Sequence, residues 1–180
     1  MEAKIWIQKF RSWGLKYFLG IEIVKKENEL CLSQRKYLLD VLNKFGMSAC
    51  KPLQIPLDVN AKFTYDDGEK IEDSQLDRSI IGSLIYATIT GPDIVRVVGV
   101  LSQFMQEPMM NHLKATRRIL RYIKGTINYG LIYDNDVNLD PKGYCDVDWA
   151  GSPNDGRSIS RNVFMIGTKT ISWVRRNNQQ

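Results

Sequence analysis

One histidine and three cysteines in 180 residues leave little soft-donor chemistry to build on. His112 stands alone, and Cys31, Cys50 and Cys145 form an odd set with no Cys-x-x-Cys spacing, so neither a zinc site nor a disulfide framework is indicated. The thiols read as small buried hydrophobes, and His112 as a capping or surface group rather than a catalytic base. No apolar run approaches the length that spans a bilayer, and the first residues lack the apolar segment and small-residue cleavage site of a secretory signal. The expectation is an intracellular chain, cytoplasmic or nuclear, with no membrane partner. What the chain does have is a hydrophobic content of 43%, enough for one domain or two small ones.

The net charge of +5 hides an uneven distribution. From His112 to Tyr133 stand Lys114, Arg117, Arg118, Arg121 and Lys124 with no acid. From Asp134 to Asp155 come Asp134, Asp136, Asp140, Asp146, Asp148 and Asp155 against a single Lys142, and after Gly156 the sign reverses with Arg157, Arg161, Lys169, Arg175 and Arg176. An acidic strip between two basic ones suits metal at its centre and phosphates on its flanks. The plainer alternative is three ordinary solvated surfaces. Within the acidic strip, Gly143 to Gly151 reads as a strand, and alternation puts Asp146 and Asp148 on one face. Two carboxylates so placed suit Mg²⁺, but a two-metal phosphodiester site needs further acids from other elements.

Along the chain, Ala3 to Trp13 reads as a frayed helix or edge segment. Tyr17 to Val24 and Leu30 to Leu32 read as a hairpin about Asn28, followed by a helix through Tyr37, Leu38, Val41, Leu42 and Phe45 with Ser33 as its N-cap and Gly46 at its end. Cys50 to Asp73, broken by Pro52, Pro56 and Asp66-Asp67-Gly68, reads as extended linker and turns, and Tyr65-Asp66-Asp67 as turn chemistry rather than a polymerase signature. Helices are predicted over Gln75–Thr90 with a Leu76, Ile80, Leu84 and Ala87 stripe widened by Ile81 and Ile85, from Pro92 through Gln106, and over Asn111–Lys124 with an outward basic stripe closed by Gly125. Strands are predicted over Tyr129–Tyr133, Lys142–Trp149, Asn162–Ile166 and Thr170–Val174, the last two a hairpin about Gly167. A turn-rich stretch from Asp134 to Pro141 and a loop from Ser152 to Gly156 separate them.

These segments, in their order and spacing, resemble the late part of a copia-type retrotransposon Pol polyprotein. The resemblance is carried by Lys16-Tyr-Phe-Leu-Gly-Ile-Glu-Ile23, Leu32-Ser-Gln-Arg-Lys-Tyr-Leu38, Arg78-Ser-Ile-Ile-Gly-Ser-Leu-Ile-Tyr86, Pro92-Asp-Ile94, Leu101-Ser-Gln-Phe-Met105, Arg118-Ile-Leu-Arg-Tyr-Ile-Lys-Gly-Thr126, Gly130-Leu-Ile-Tyr133 and Gly143 to Gly151. It implies an α+β chain in three parts. Residues 1–58 would be the end of the reverse-transcriptase palm with its primer-grip hairpin and first thumb helix, 59–126 the helical thumb and connection, and 127–180 the start of an incomplete RNase H-like sheet, three- or four-stranded. It implies that Phe18, Leu19 and Gly20 grip a primer end and that Asp146 is the first RNase H aspartate; Asp148 matches the family's Asp-x-Asp-Trp pattern, and only its shared strand face with Asp146 makes it a candidate metal ligand. The nucleic-acid-binding surface would comprise that hairpin with Lys114, Arg117, Arg118, Arg121 and Lys124, and Trp149 would pack in the core.

The departures also matter. The family's Tyr-x-Asp-Asp strand would precede this region and the later RNase H acids would follow Gln180. Asp77 stands where the family usually has tyrosine, Gly91 where it usually has arginine, and Ser160-Arg161-Asn162 replaces a Ser-Gly-aromatic pattern. The resulting expectation is a fragment without enough acids to hold the family's Mg²⁺ productively, binding at most an RNA·DNA hybrid or nucleic-acid backbone. The alternative is one piece of an active RNA-directed DNA polymerase and RNase H whose partner is the rest of the Pol polyprotein. A half-sheet would also leave an apolar face to be covered by the helices or exposed.

Overall fold

The computed structural model describes residues 16–27, 29–58, 61–66, 68–134, 140–148 and 158–177. The segment Ala3–Trp13, the turn residues Asn28 and Asp67, most of the Asp134–Pro141 connection, Trp149 and the Ser152–Gly156 loop lie outside the described residues. The chain is mixed α+β, with four α-helices and two antiparallel sheets among the described residues.

The first hairpin is built in two steps. Strand β1 (Tyr17–Phe18) turns at Leu19 and Gly20 into β2 (Ile21–Lys25), and β2 pairs with β3 (Glu29–Ser33). The single strand read over Tyr17–Val24 is therefore broken, because Leu19 at φ 44° and Gly20 at φ 71° form the left-handed pair that a two-residue hairpin turn requires. Helix α1 (Arg35–Lys44) follows at once. Ser33 is not its cap, as it is still paired in β3 opposite Glu22. Gln34 takes the cap position without a side-chain capping bond, and the Glu22 carboxylate accepts from the Lys36 N–H at 2.6 Å. A neighbouring strand thus satisfies a helix end that the local sequence leaves open. Past the C-terminus, Gly46 at φ 67° lets the chain reverse, with Met47 N–H donating to the Leu42 carbonyl at 2.7 Å.

Helix α2 (Ser74–Ala87) is capped by Asp73, whose carboxylate accepts from Gln75 and Leu76 N–H at 3.0 and 3.2 Å. Its stripe buries Ile80, Ile81, Leu84 and Ala87 as read, but Ile85 is exposed and Asp77 is buried. Helix α3 (Val95–Leu101) is shorter than the Pro92–Gln106 reading. Gly91 to Ile94 form a turn, Asp93 is occupied as acceptor of the Tyr122 hydroxyl, and the chain tightens to a 3₁₀ turn over Ser102–Phe104. Helix α4 (Met110–Gly125) buries Leu113, Thr116, Ile119, Leu120 and Ile123. Together with Val41 and Leu42 of α1, Phe63, and Val98, Leu101 and Phe104, these helices share one core. Each such side chain removed from water contributes about 1.5–3 kcal/mol before ordering entropy is subtracted.

His112 is wholly buried, not at the surface. Its Nδ1 accepts from the Met109 N–H at 3.0 Å, the capping role read from its position, and its ring stacks on Phe104 at 4.1 Å. The cysteines are not core residues either: Cys31 and Cys50 are partly exposed and Cys145 is exposed. The stretch read as a linker is extended, but it lies against α4 as a strap. Leu53 N–H donates to the Arg121 carbonyl at 3.1 Å, Arg121 Nε to the Lys51 carbonyl at 2.8 Å, and Met110 N–H to the Glu69 carbonyl at 2.8 Å. A Cβ at Gly125 would sit 3.0 Å from the Leu53 carbonyl oxygen, so glycine permits that approach. Gly68 closes the Asp66 turn at φ 101°.

After α4 the chain returns to the first sheet. Strand β4 (Leu131–Asp134) pairs antiparallel with β3, Leu32 opposite Leu131, giving the order β1-β2-β3-β4. It does not join the following sheet, although it is contiguous with it in sequence. The second sheet is the meander β5 (Pro141–Asp148), β6 (Ile159–Ile166) and β7 (Lys169–Asn177), turning at Gly167 with φ 61° and shifting register between Phe164 and Met165. It meets the helices through β7. Trp173 Nε1 donates to the Thr88 carbonyl and Arg175 Nη1 to the Gly99 carbonyl, both at 2.9 Å. The Tyr133 hydroxyl donates to the Thr170 carbonyl at 2.9 Å, and Lys169 pairs with Asp134. Much of the sheet's apolar surface stays open, with Tyr144, Val147, Phe164 and Ile171 each about half exposed. Among the described residues no helix is long and apolar enough to cross a membrane.

Candidate nucleic-acid interface and the acidic strand

The helical period of α4 separates two faces. With Thr116, Ile119, Leu120 and Ile123 turned into the core, Lys114, Arg117, Arg118 and Arg121 fall on the opposite stripe. The strap that crosses α4 supplies the second wall, so these four cations line one groove of about 550 Å³ with Met47, Leu57, Asp58 and Ala61. Lys114 and Arg117 are exposed, whereas Arg118 and Arg121 are half-buried. Arg118 Nε is buried with no hydrogen-bond partner among the described residues, and Arg121 is held by the Lys51 carbonyl. Lys124 is half-buried and is not part of the groove lining. A groove lined by three guanidiniums and one ammonium is suited to a chain of phosphates.

The hairpin tip is a separate feature. Phe18 and Leu19 are exposed, with Leu19 at 69% of its full surface, while Gly20 lies against Tyr86 of α2. The Tyr86 hydroxyl donates to the Leu19 carbonyl, and a Cβ at Gly20 would stand 3.0 Å from that same hydroxyl. Tyr86 is itself held edge-on by Tyr37 at 4.8 Å, and Tyr37 donates to the Ser83 carbonyl at 3.0 Å. The tip is therefore two exposed apolar side chains on a turn anchored to the helical core. Periodicity gives no hint of this anchor, because Tyr86 is far away in sequence.

Asp146 lies in a third place, on β5. Its carboxylate is exposed and accepts from Arg161 Nη1 at 2.6 Å, the two residues being directly opposed across β5 and β6. Asp148 is in the same strand, opposite Ile159. Among the described residues no three His, Cys, Asp or Glu side chains come together. The sequence marks Arg161 as a departure from the resembled pattern, but its pairing with Asp146 depends on a register set beyond the β5–β6 connection.

Two buried ionisable groups complete the inventory. Asp77 is fully buried, neither carboxylate oxygen has a hydrogen-bond partner among the described residues, and burial raises its pKa, opposed in part by the Thr116 hydroxyl. Thr116 itself donates to the His112 carbonyl at 2.9 Å. Tyr122 donates to Asp93, and burial together with that carboxylate raises its pKa well above the ordinary tyrosine value.

Sequence comparison supplies the context. The chain is 42% identical over 159 residues to the retrovirus-related Pol polyprotein from transposon RE1 of Arabidopsis thaliana, covering 88% of this chain and 11% of that protein. It is 35% identical over 170 residues to the retrovirus-related Pol polyprotein from transposon TNT 1-94 of Nicotiana tabacum, covering 86% of this chain and 12% of that protein. An uncharacterized mitochondrial protein of Arabidopsis thaliana is 39% identical over 157 residues, 87% of this chain and 65% of its own length. The chain thus spans a small part of the Pol polyproteins it matches. No family model and no solved structure matches it.

Proposed function

Because the chain belongs to the copia-type retrotransposon Pol polyprotein family, we propose that it is the thumb-and-connection region of the reverse transcriptase running into the opening strands of RNase H, holding nucleic-acid backbone without cutting it. The observation that carries this reading is the convergence of Lys114, Arg117, Arg118 and Arg121 on one groove. The anchored, apolar tip at Phe18, Leu19 and Gly20 suits contact with a primer terminus, and an RNA·DNA hybrid is the substrate class the family suggests.

Asp146, as it stands on β5, is a poor holder for the Mg²⁺ that the family would bring. A divalent ion needs carboxylate oxygens with free lone pairs and further oxygen donors around them. Here the Asp146 carboxylate is engaged at 2.6 Å by a guanidinium, which competes for the same charge.

Fluorescence anisotropy with a labelled RNA·DNA hybrid, titrated across salt concentrations, tests the binding. Log affinity should fall by about 0.9 per phosphate contact for each log unit of salt, and Lys114→Gln or Arg117→Gln should each reduce the slope by about one contact. An affinity indifferent to salt, or unchanged in both variants, removes the groove from the interface. RNA-strand cleavage by this chain with Mg²⁺, lost in Asp146→Asn, would overturn the non-cutting reading.

The short span of the chain within its Pol relatives favours a second reading, that it serves an active polymerase and RNase H completed by other segments. Cleavage and primer-extension assays on a full-length polyprotein carrying this sequence, with and without Asp146→Asn, distinguish the two.

A further inference from the structure

Helices α1, α2 and α4, the turn before α3 and the start of β4 meet around a cavity of about 330 Å³. Its apolar walls include Leu38, Ala87, Ile94, Ile123 and Leu131, the rings of Tyr122 and Tyr129 extend them, and Asp93 brings the one charge. Among the described residues no lysine, arginine or histidine lines it. The volume sits at the lower end of the range for small-ligand sites, room for one ring system rather than a longer chain.

Three hydroxyls in the wall have already committed their protons. Thr90 donates to Gln34 Oε1 at 2.9 Å, Thr126 to the Tyr122 carbonyl at 3.1 Å, and Tyr122 to Asp93 Oδ2. The Tyr122 hydroxyl is the one hydrogen-bond partner of the Asp93 carboxylate among the described residues, so Oδ1 keeps its lone pairs. A Cβ at Gly91 would lie 3.3 Å from Ile94 Cγ1 and 3.4 Å from Asp93 Oδ1, so a side chain there would enter the cavity and cover that oxygen. Tyr129, 70% exposed, offers an open aromatic face. Such walls disfavour anions and suit a flat apolar body that brings its own N–H donors.

We propose that this cavity takes an unpaired guanine base, its N1–H and 2-amino groups donating to Asp93 and its ring stacked on Tyr129. Guanine presents two adjacent donors on one edge, whereas adenine and cytosine present an amino group beside an acceptor nitrogen and uracil a single N–H between two carbonyls. A guanidinium head shares the donor pair, but it carries a full charge into walls that are largely carbon, where a neutral base adds an apolar face. Single-stranded nucleic acid is read in this manner, by bases turned out onto aromatic side chains and held at their pairing edges. The cavity shares no lining residue with the α4 groove and does not rest on its cations.

The test uses the whole chain with ¹³C-labelled tyrosine, titrated with guanosine, which lacks the phosphates that the α4 groove would hold. Saturable shifts at the Tyr122 and Tyr129 rings are expected, with inosine, which lacks the 2-amino group, bound about tenfold or more weakly; that comparison needs no variant. Asp93→Asn should weaken guanosine by a similar factor while its amide oxygen still accepts from Tyr122, and Gly91→Val should block the cavity without changing the carboxylate. Arg117→Gln should leave guanosine binding unchanged. Displacement of guanosine by a guanine-containing single strand, but not by its inosine counterpart, identifies a polymer as the source, and no displacement a free nucleoside. The proposal is overturned if inosine binds as tightly as guanosine, if Asp93→Asn is without effect, or if the tyrosine rings do not respond. It is equally overturned if guanidinium chloride at millimolar concentration displaces guanosine, which would mark an arginine side chain of another protein as the occupant.

Discussion

The two sheets are attached to the helices in different ways. The first is woven into them: Glu22 of β2 closes the start of α1, Gln34 donates to the Tyr86 carbonyl at 3.3 Å, and β4 returns after α4 to zip onto β3. The second rests on the C-terminal end of α2 and on α3 through a few side-chain contacts from β7, chiefly Trp173 to the Thr88 carbonyl and Arg175 to the Gly99 carbonyl. Cooperative stability therefore belongs to the helices with the first sheet, while the second sheet carries solvent-facing charge and is the part able to open locally. Antiparallel meanders suit that position, because their ladder is complete within themselves and one face can remain wet.

The sharpest way to break this contrast is inside the shared core. Ile119→Ala should cost about 2–5 kcal/mol and lower the melting temperature of both the helices and the first sheet, since Ile119 is wholly buried. If circular dichroism shows helices melting while the β3–β4 amides stay protected, the two are not one unit. Next comes Gly130→Ala. Its Cβ would stand 2.5 Å from the Leu32 carbonyl oxygen, so a loss of about 1–3 kcal/mol is expected, read as faster amide exchange in β3 and β4 before β5–β7.

Asp77 sharpens the comparison through pH. Its carboxyl titrates above the usual carboxylate range in the folded chain, so the folded state holds the proton longer than the unfolded one. That contribution is fully present below the unfolded pKa and is lost as pH rises through the raised folded pKa. Asp77→Asn should flatten the slope of melting temperature against pH and stabilise the chain at neutral pH by about 1 kcal/mol; an unchanged slope would show that another group sets it. The smallest expected effect is Trp173→Phe, which removes the bond to the Thr88 carbonyl. A loss of about 0.5–1.5 kcal/mol should appear as faster exchange confined to β5–β7, with the melting of the helices unmoved.

Local patterns gave the elements and tertiary constraints moved their edges. The α4 stripe is legible because charge and apolar positions both follow the helical period, whereas the groove that takes Lys114, Arg117, Arg118 and Arg121 but not Lys124 depends on the strap lying across α4. The tight turn at Leu19 and Gly20 was masked by a run of strand-forming residues, since Leu at positive φ contradicts its own preference and is held there by Tyr86. Pairing of β4 with β3 could not be read, because adjacency in sequence favoured β5 and the choice rests on a contact spanning all four helices. For the same reason Arg161 could be flagged as unusual yet not assigned to Asp146. Asp77 is legible as a departure, but that its carboxyl is buried depends on the helix face it shares with Ile80, Ile81 and Leu84.

The return of β4 to β3 orders events during synthesis. When β3 leaves the ribosome its outer edge has no neighbour, and all four helices must follow before Leu131 emerges to cover it. Until then that edge is open to strands of other nascent chains, so the stretch from α1 to α4 sets how long the risk of mispairing lasts. Slowing translation within the helices should lengthen that window, and supplying a β4-like peptide in trans should shorten it.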